Sequence, residues 1–189
     1  MSTIRIQIIF KNIVAIGLVT MFFSCTNNSN EVRDLFKVHN LPFGTAKNLV
    51  HVYKDSGRIS SKLMTPWLND FSNRKGHPYN EFPKGIKIIS FDNNGKDSVT
   101  IIGDYGLTYT KTQISVITGN VVITNHTDRS TLYTDQLFWD QNTDYFFSEK
   151  KFKWTNPTDT IYGVGFESNK DLSKFLAKKQ TGQIVTSEN

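Results

Sequence analysis

The chain has 189 residues, a formal net charge of +5 from 22 basic and 17 acidic side chains, and a single cysteine. One thiol cannot form an internal disulfide, so the domain must rest on its own core and backbone pairing. The basic residues are scattered, which speaks against a nucleic-acid surface and suits contact with anionic headgroups or phosphosugars.

Taken in chain order, Arg5 and Lys11 precede an apolar run from Ile13 to Phe23, followed by Ser24 and Cys25. That order is the layout of a lipoprotein signal, which predicts a signal peptide over residues 1–24 and an acylated Cys25 as the first mature residue. Cleavage there takes two charges, Arg5 and Lys11, and leaves +3. The uninterrupted run falls short of the roughly 20 apolar residues that span a bilayer. An uncleaved helix reaching back past Lys11 is the competing expectation. Acyl chains on Cys25 would each contribute about 0.8 kcal/mol per buried methylene to membrane anchoring. Residues 25–44 read as the acylated cysteine and a linker: Thr26–Asn30 is polar, and Val32, Leu35 and Phe36 give Glu31–Lys37 the spacing of a short helix that Leu41-Pro42 ends.

From Thr45 to residue 189 the pattern changes to alternation with turn residues between short runs, which predicts an all-β domain. Leu49–Tyr53 is followed by Lys54-Asp55-Ser56-Gly57, Ile86–Phe91 by Asp92-Asn93-Asn94-Gly95, Val121–Thr124 by Asn125-His126-Thr127-Asp128, and Phe152–Thr155 by Asn156-Pro157-Thr158-Asp159. A degenerate repeat runs through these units. Thr65, Gly103, Thr134 and Gly163 occupy equivalent places, and Thr118-Gly119-Asn120-Val121 recurs as Thr181-Gly182-Gln183-Ile184. Such uneven spacing fits hairpins stacked side by side in two facing sheets rather than a strict solenoid.

Alternate residues place Ile86, Ile88, Ile101, Val121, Ile123, Leu132, Leu137, Trp139, Phe152, Trp154, Ile161 and Phe166 on one face. The opposite face, with Lys87, Thr100, Asn120, Lys153 and Thr160, reads as wet. A break in alternation after Thr134 predicts a β-bulge near Asp135-Gln136. Periodicity leaves open whether the apolar face closes into a core or lines a lipid-holding cavity. In Asn169–Gln180 the spacing of Leu172, Phe175 and Leu176 is helical, while the repeat register favours a strand.

Nothing in the chain has the pattern of an enzyme. His39, His51, His77 and His126 are far apart with no partner at metal-ligand spacing, so no metal or cofactor is expected. There is no Gly-x-Ser-x-Gly elbow, and Gly103, Gly106, Gly163 and Gly165 lie on strand patterns, where glycine marks bulges and bends. Asn125-His126-Thr127 matches a glycosylation sequon. Tyr79, Phe82, Trp139 and Trp154 suit stacking on sugar rings, which keeps a glycan-binding surface lipoprotein as an alternative function.

Six segments in order carry a family resemblance: Asn48–Arg58, Tyr79–Ile86, Gly103-Asp104-Tyr105-Gly106, Thr118–Val122, Leu132–Asp140 and Tyr162–Glu167. Together they resemble LptC proteins, in the lipoprotein-type form of the Bacteroidetes. Better-known members keep an N-terminal transmembrane helix, whereas here the signal favours acylation. The resemblance implies a folded-over antiparallel β-jellyroll, open along a groove, that works in lipopolysaccharide transport without catalysis. Such a protein is periplasmic, accepts lipopolysaccharide from the inner-membrane ABC transporter subunits and passes it to an LptA-like periplasmic jellyroll. A sister, LptA-like bridge component is the nearer alternative. On this reading the twelve apolar-face residues bind lipid, each Å² shielded contributing about 25 cal/mol. The final run, Thr181, Gly182, Gln183, Ile184, Val185 and Thr186, holds neither charge nor proline and forms the edge strand for the next jellyroll.

Overall fold

The computed structural model of the chain describes residues 41–181. The signal segment, Cys25, the helix expected over Glu31–Lys37 and the edge residues Gly182, Gln183, Ile184, Val185 and Thr186 lie outside the described residues. Eleven strands follow: β1 (Gly44–Asp55), β2 (Arg58–Phe71), β3 (Tyr79–Phe82), β4 (Ile86–Phe91), β5 (Asp97–Gly103), β6 (Tyr105–Tyr109), β7 (Ile114–Asn125), β8 (Thr131–Asp140), β9 (Tyr145–Thr155), β10 (Thr160–Asn169) and β11 (Phe175–Thr181). The first begins one residue ahead of the expected domain start. All four expected turns fall between strands, after β1, β4, β7 and β9.

Every pairing is antiparallel. β2 bonds β4 through Ser61–Met64 and β3 through Asn69–Phe71. β7 likewise bonds β6 through Ile114–Thr118 and β5 through Val122–Asn125. β3 and β4 are therefore one strand interrupted at residues 83–85, and β5 and β6 one strand interrupted at Asp104. Counted so, nine strands form a plain meander from β1 to β11. The two expected sheets are the two layers of one hydrogen-bonded sheet doubled over, the β-jellyroll architecture anticipated above. One layer contains β3 and β6, the other β4 and β5, and the long strands cross between them.

The crossing line is written in backbone breaks. β1 turns at Asn48 (φ 50), β7 at Gly119 and Asn120 (φ 75 and 46) and β10 at Gly165 (φ 76). Pairing shifts register between Thr118 and Val121, between Thr134 and Phe138 and between Val164 and Phe166. The middle shift is the bulge expected near Asp135. Each repeat position borders this line. Thr65 Oγ1 donates to the Gly85 carbonyl at 2.8 Å, and Thr134 Oγ1 to the Lys151 carbonyl at 2.9 Å, so backbone acceptors freed by the break are satisfied from side chains. At Gly163 even a methyl group is excluded, because its Cβ would collide with the Lys179 carbonyl and lie 2.6 Å from Phe152 Cε1.

The layers meet over a dry core. Ten of the twelve apolar-face residues are buried in it, and Trp154 and Ile161 pack against it half-buried. Ile123, Leu132, Leu137 and Phe166 are fully excluded from solvent. Burial of each such side chain stabilises by about 1.5–3 kcal/mol. Trp154 of one layer stacks on Phe175 of the other, with ring centroids 5.6 Å apart.

One expectation is corrected, and two readings left open are resolved. Thr100 is buried, because the His126 ring covers it and Nε2 meets its hydroxyl at 2.8 Å. The helical spacing near the C-terminus is a coincidence of turn and strand: Leu172 plugs the core from the turn before β11, while Phe175 and Leu176 point to opposite faces. Asn125 is buried and its amide is spent, donating to the Asp171 carbonyl at 2.6 Å and accepting from Thr127 N–H at 2.7 Å, so the sequon offers no acceptor.

An exposed ionic strap ties the last three strands. Lys178 of β11 reaches Glu149 of β9 at 2.5 Å and Glu167 of β10 at 3.0 Å, and the Tyr145 hydroxyl donates to Glu167 at 3.0 Å. The Lys178 ammonium, then the Tyr145 hydroxyl, hold the Glu167 carboxyl below its usual 4.5.

Two outcomes are expected. Gly163→Ala lowers urea-denaturation stability by about 1–3 kcal/mol through overpacking, whereas Gly76→Ala, in open space, changes it by less than about 0.5 kcal/mol. For Glu167, a pKa depressed by folding contributes stability above its unfolded value and loses it as pH falls through the folded one. Amide exchange of β11, corrected for intrinsic rate, should therefore rise relative to β8 as pH drops below 4.5, and Glu167→Gln should flatten that rise.

Candidate functional site

The doubled sheet leaves a seam where the rims of its layers face each other. Toward the C-terminal strands the seam is shut: Asn125, at the end of β7, grips the Asp171 carbonyl in the turn after β10. Toward the N-terminal strands it gapes over a cavity of about 250 Å³. Leu63 and Ile88 from one layer and Phe82 and Trp139 from the other form its apolar lining, while Tyr53, Asn80, Gln141 and Lys170 are among its polar surroundings. A neighbouring hollow of about 430 Å³ shares Ser60, Asp144 and Lys170 and continues along the rims to Ser90 and Asp171.

One cation commands this mouth. Lys170 Nζ stands 5.3 Å from the centre of the Trp139 ring and 3.3 Å from Asp144 Oδ1, and its backbone N–H donates to the Asp144 carbonyl at 2.9 Å. Two buried polar atoms beside the seam, Trp139 Nε1 and Ser90 Oγ, have no hydrogen-bond partner. An unpaired buried donor costs about 1–3 kcal/mol, so both suit a ligand oxygen or water.

The twelve apolar-face residues are brought together, but mostly as sealed core. Ile88 and Trp139 alone among them reach the seam cavity. Leu63 and Phe82 were legible in the alternation and belong with them. Lys170 and Asp144 had no sequence signal, since 26 residues separate the pair that turns after β8 and β10 bring together.

Among the described residues no group of three His, Cys, Asp or Glu side chains could hold a metal. His51 stacks on Tyr53 with ring centroids 4.3 Å apart, and His126 serves Thr100. What the arrangement offers is a long apolar interior, a polar mouth and a hinge line of bent strands.

No curated protein matches the chain. The model of the family described as "Lipopolysaccharide-assembly, LptC-related" matches residues 13–184, and so spans both the bent meander and most of the N-terminal segment. With its all-β doubled sheet and apolar interior, the chain belongs to the LptC-related family of lipopolysaccharide assembly.

Proposed function

We propose that this protein receives the acyl chains of lipopolysaccharide between its two layers, taking the lipid from the inner-membrane ABC transporter and handing it to an LptA-like periplasmic jellyroll. Lipopolysaccharide transport in the Gram-negative envelope follows from family membership. The observation that carries the finer reading is the seam, where an apolar interior shared by both layers opens beside a lysine and two unpaired polar atoms.

At about 250 Å³ the mouth is smaller than the roughly 300–1,000 Å³ of pockets that hold drug-sized ligands. Loading an acyl chain then requires the layers to part. The hydrogen bond from Asn125 to Asp171, which joins the layers, would yield together with part of the apolar packing between them, while Lys170 and Asp144 stay together on one rim. Transfer onward would use the side of β11 away from β10, which no strand among the described residues covers. Cys25 would carry the acyl anchor, at the inner membrane.

The glycan-binding alternative lacks its aromatics. Phe82 and Trp139 are buried, Tyr79 stacks on Phe71 at 4.7 Å and Trp154 on Phe175. The family match also favours this reading over a sister bridge component.

A photo-crosslinking residue at Ile88 or Trp139 should capture lipopolysaccharide in cells, and one at Tyr145, exposed on the outside of the β3/β6 layer, should not. Equal capture at both would sink the interior route. For the anchor, mass spectrometry of the mature N-terminus should find a diacylated or triacylated Cys25, and Cys25→Ala should yield unprocessed or released protein. An unmodified thiol in an uncleaved chain would establish the helix anchor instead.

A further inference from the structure

The outer faces of the two layers differ in charge. On the β4/β5 layer, cross-strand register aligns one row of outward side chains over eight strands, from Val50 on β1 through Lys87, Ile102, Tyr133 and Lys153 to Tyr162 on β10. At the usual strand spacing the row is about 34 Å long. The adjacent row, toward the rim, carries Lys62 and a ladder of threonines from Thr100 to Thr160. Neither row holds a carboxylate.

The apolar members of the first row are open to solvent: Val50 is 59 % exposed, Ile102 43 %, Tyr133 43 % and Tyr162 49 %. Lys153 lies between the two tyrosines, its ammonium 5.8 Å from one ring centre and 5.9 Å from the other. Two shallow hollows where the strands break flank the row and add Lys84 and Lys151, with Asp104 and Asp135 beside them. Asp104 is already engaged, accepting from Asn120 Nδ2 at 2.6 Å. The matching row on the β3/β6 layer is different in kind. It runs from Asn69 and Glu81 through Leu107, Phe138 and Phe147 to Glu167, and its two carboxylates are held by tyrosine hydroxyls at 2.8 and 3.0 Å.

We propose that the outer face of the β4/β5 layer docks on an anionic lipid bilayer. Exposed tyrosines between aliphatic side chains match the polarity gradient of a bilayer interface, where an aromatic body enters the acyl boundary and its hydroxyl stays wet. Lysines beside them bury their stems and present ammonium groups to lipid phosphates. Acid-free rows on one face, against carboxylates on the other of which Glu167 is already paired with Lys178, favour the first face as the one that meets the surface. Between Cys25 and Gly44 lie residues 26–43, whose fully extended reach of about 60 Å exceeds the length of the row, so an anchor at Cys25 would not prevent the face from lying down. This docking uses the outside of the sheet and is independent of what enters the seam.

The test is hydroxyl-radical footprinting of the full chain on vesicles of phosphatidylcholine alone and on vesicles with about 30 % phosphatidylglycerol. On the anionic vesicles oxidation of Tyr133 and Tyr162 should fall by about fivefold or more, while Tyr145 and Leu176 on the other face stay as reactive as on neutral vesicles. Raising salt to about 0.5 M should restore reactivity, since screening shortens the reach of surface charge to a few Å. Lys87→Gln with Lys153→Gln should weaken the protection by about fivefold for each lysine removed. Protection independent of phosphatidylglycerol, protection shared by Tyr145, or protection undiminished in the double variant would each overturn the proposal. The vesicle comparison on the unaltered chain stands without the variant.

Discussion

A meander of antiparallel strands with one apolar face and, among the described residues, no helix to cover it buries that face against itself. Every long strand must then break at the same level, and the rest of this molecule depends on that shared line. A break frees backbone donors and acceptors that burial would leave unpaired. Here they are met locally: Thr65 and Thr134 supply hydroxyls to nearby carbonyls, Asp104 N–H donates to the Gly119 carbonyl, and Asn120 bonds the Asp104 carboxylate. Left-handed backbone at Asn48, Gly119, Asn120 and Gly165 supplies the change of direction. Seen this way, the degenerate repeat of Thr65, Gly103, Thr134 and Gly163 is the imprint of one geometric demand made on successive hairpins.

That imprint explains what could be read from the residues and what could not. Alternation depends on neighbours two apart, so it placed the apolar face and its twelve members on the correct side of the strands. Turn chemistry located one rim, where Asn, Asp, Gly and Pro cluster. The other rim escaped: its turns at residues 72–78, 110–113, 141–144 and 170–174 are longer or carry fewer such residues, and with them went Lys170, Asp144 and the plug Leu172. Thr100 was misjudged because its cover, the His126 ring, comes from a turn 26 residues away. The choice between closed core and open trough depends on the distance between layers, which no local pattern encodes.

The inside is apolar packing between the layers, bonded across one rim by Asn125 and Asp171; the two outsides differ in their charged rows; among the described residues the edges are β1 and β11. The polar contact that crosses the seam, Asn125 to Asp171, is one hydrogen bond, worth about 0.5–1.5 kcal/mol net. Parting the layers therefore costs chiefly the apolar burial between them, while the backbone pairing that holds each layer is kept.

Because each strand bonds the strands before and after it, the order of the chain is also the order of the fold. Chain closure within one hairpin is entropically cheap, and cost grows only by about 0.6 kcal/mol per doubling of loop length. The contact between Asn125 and Asp171, 46 residues apart, joins layers rather than strands. Assembly can thus proceed by nearest-neighbour zippering, with each new hairpin templated by the last. The same wiring lets a hairpin be gained or lost at an end without re-pairing any other, so groove length is a quantity this topology leaves free to vary.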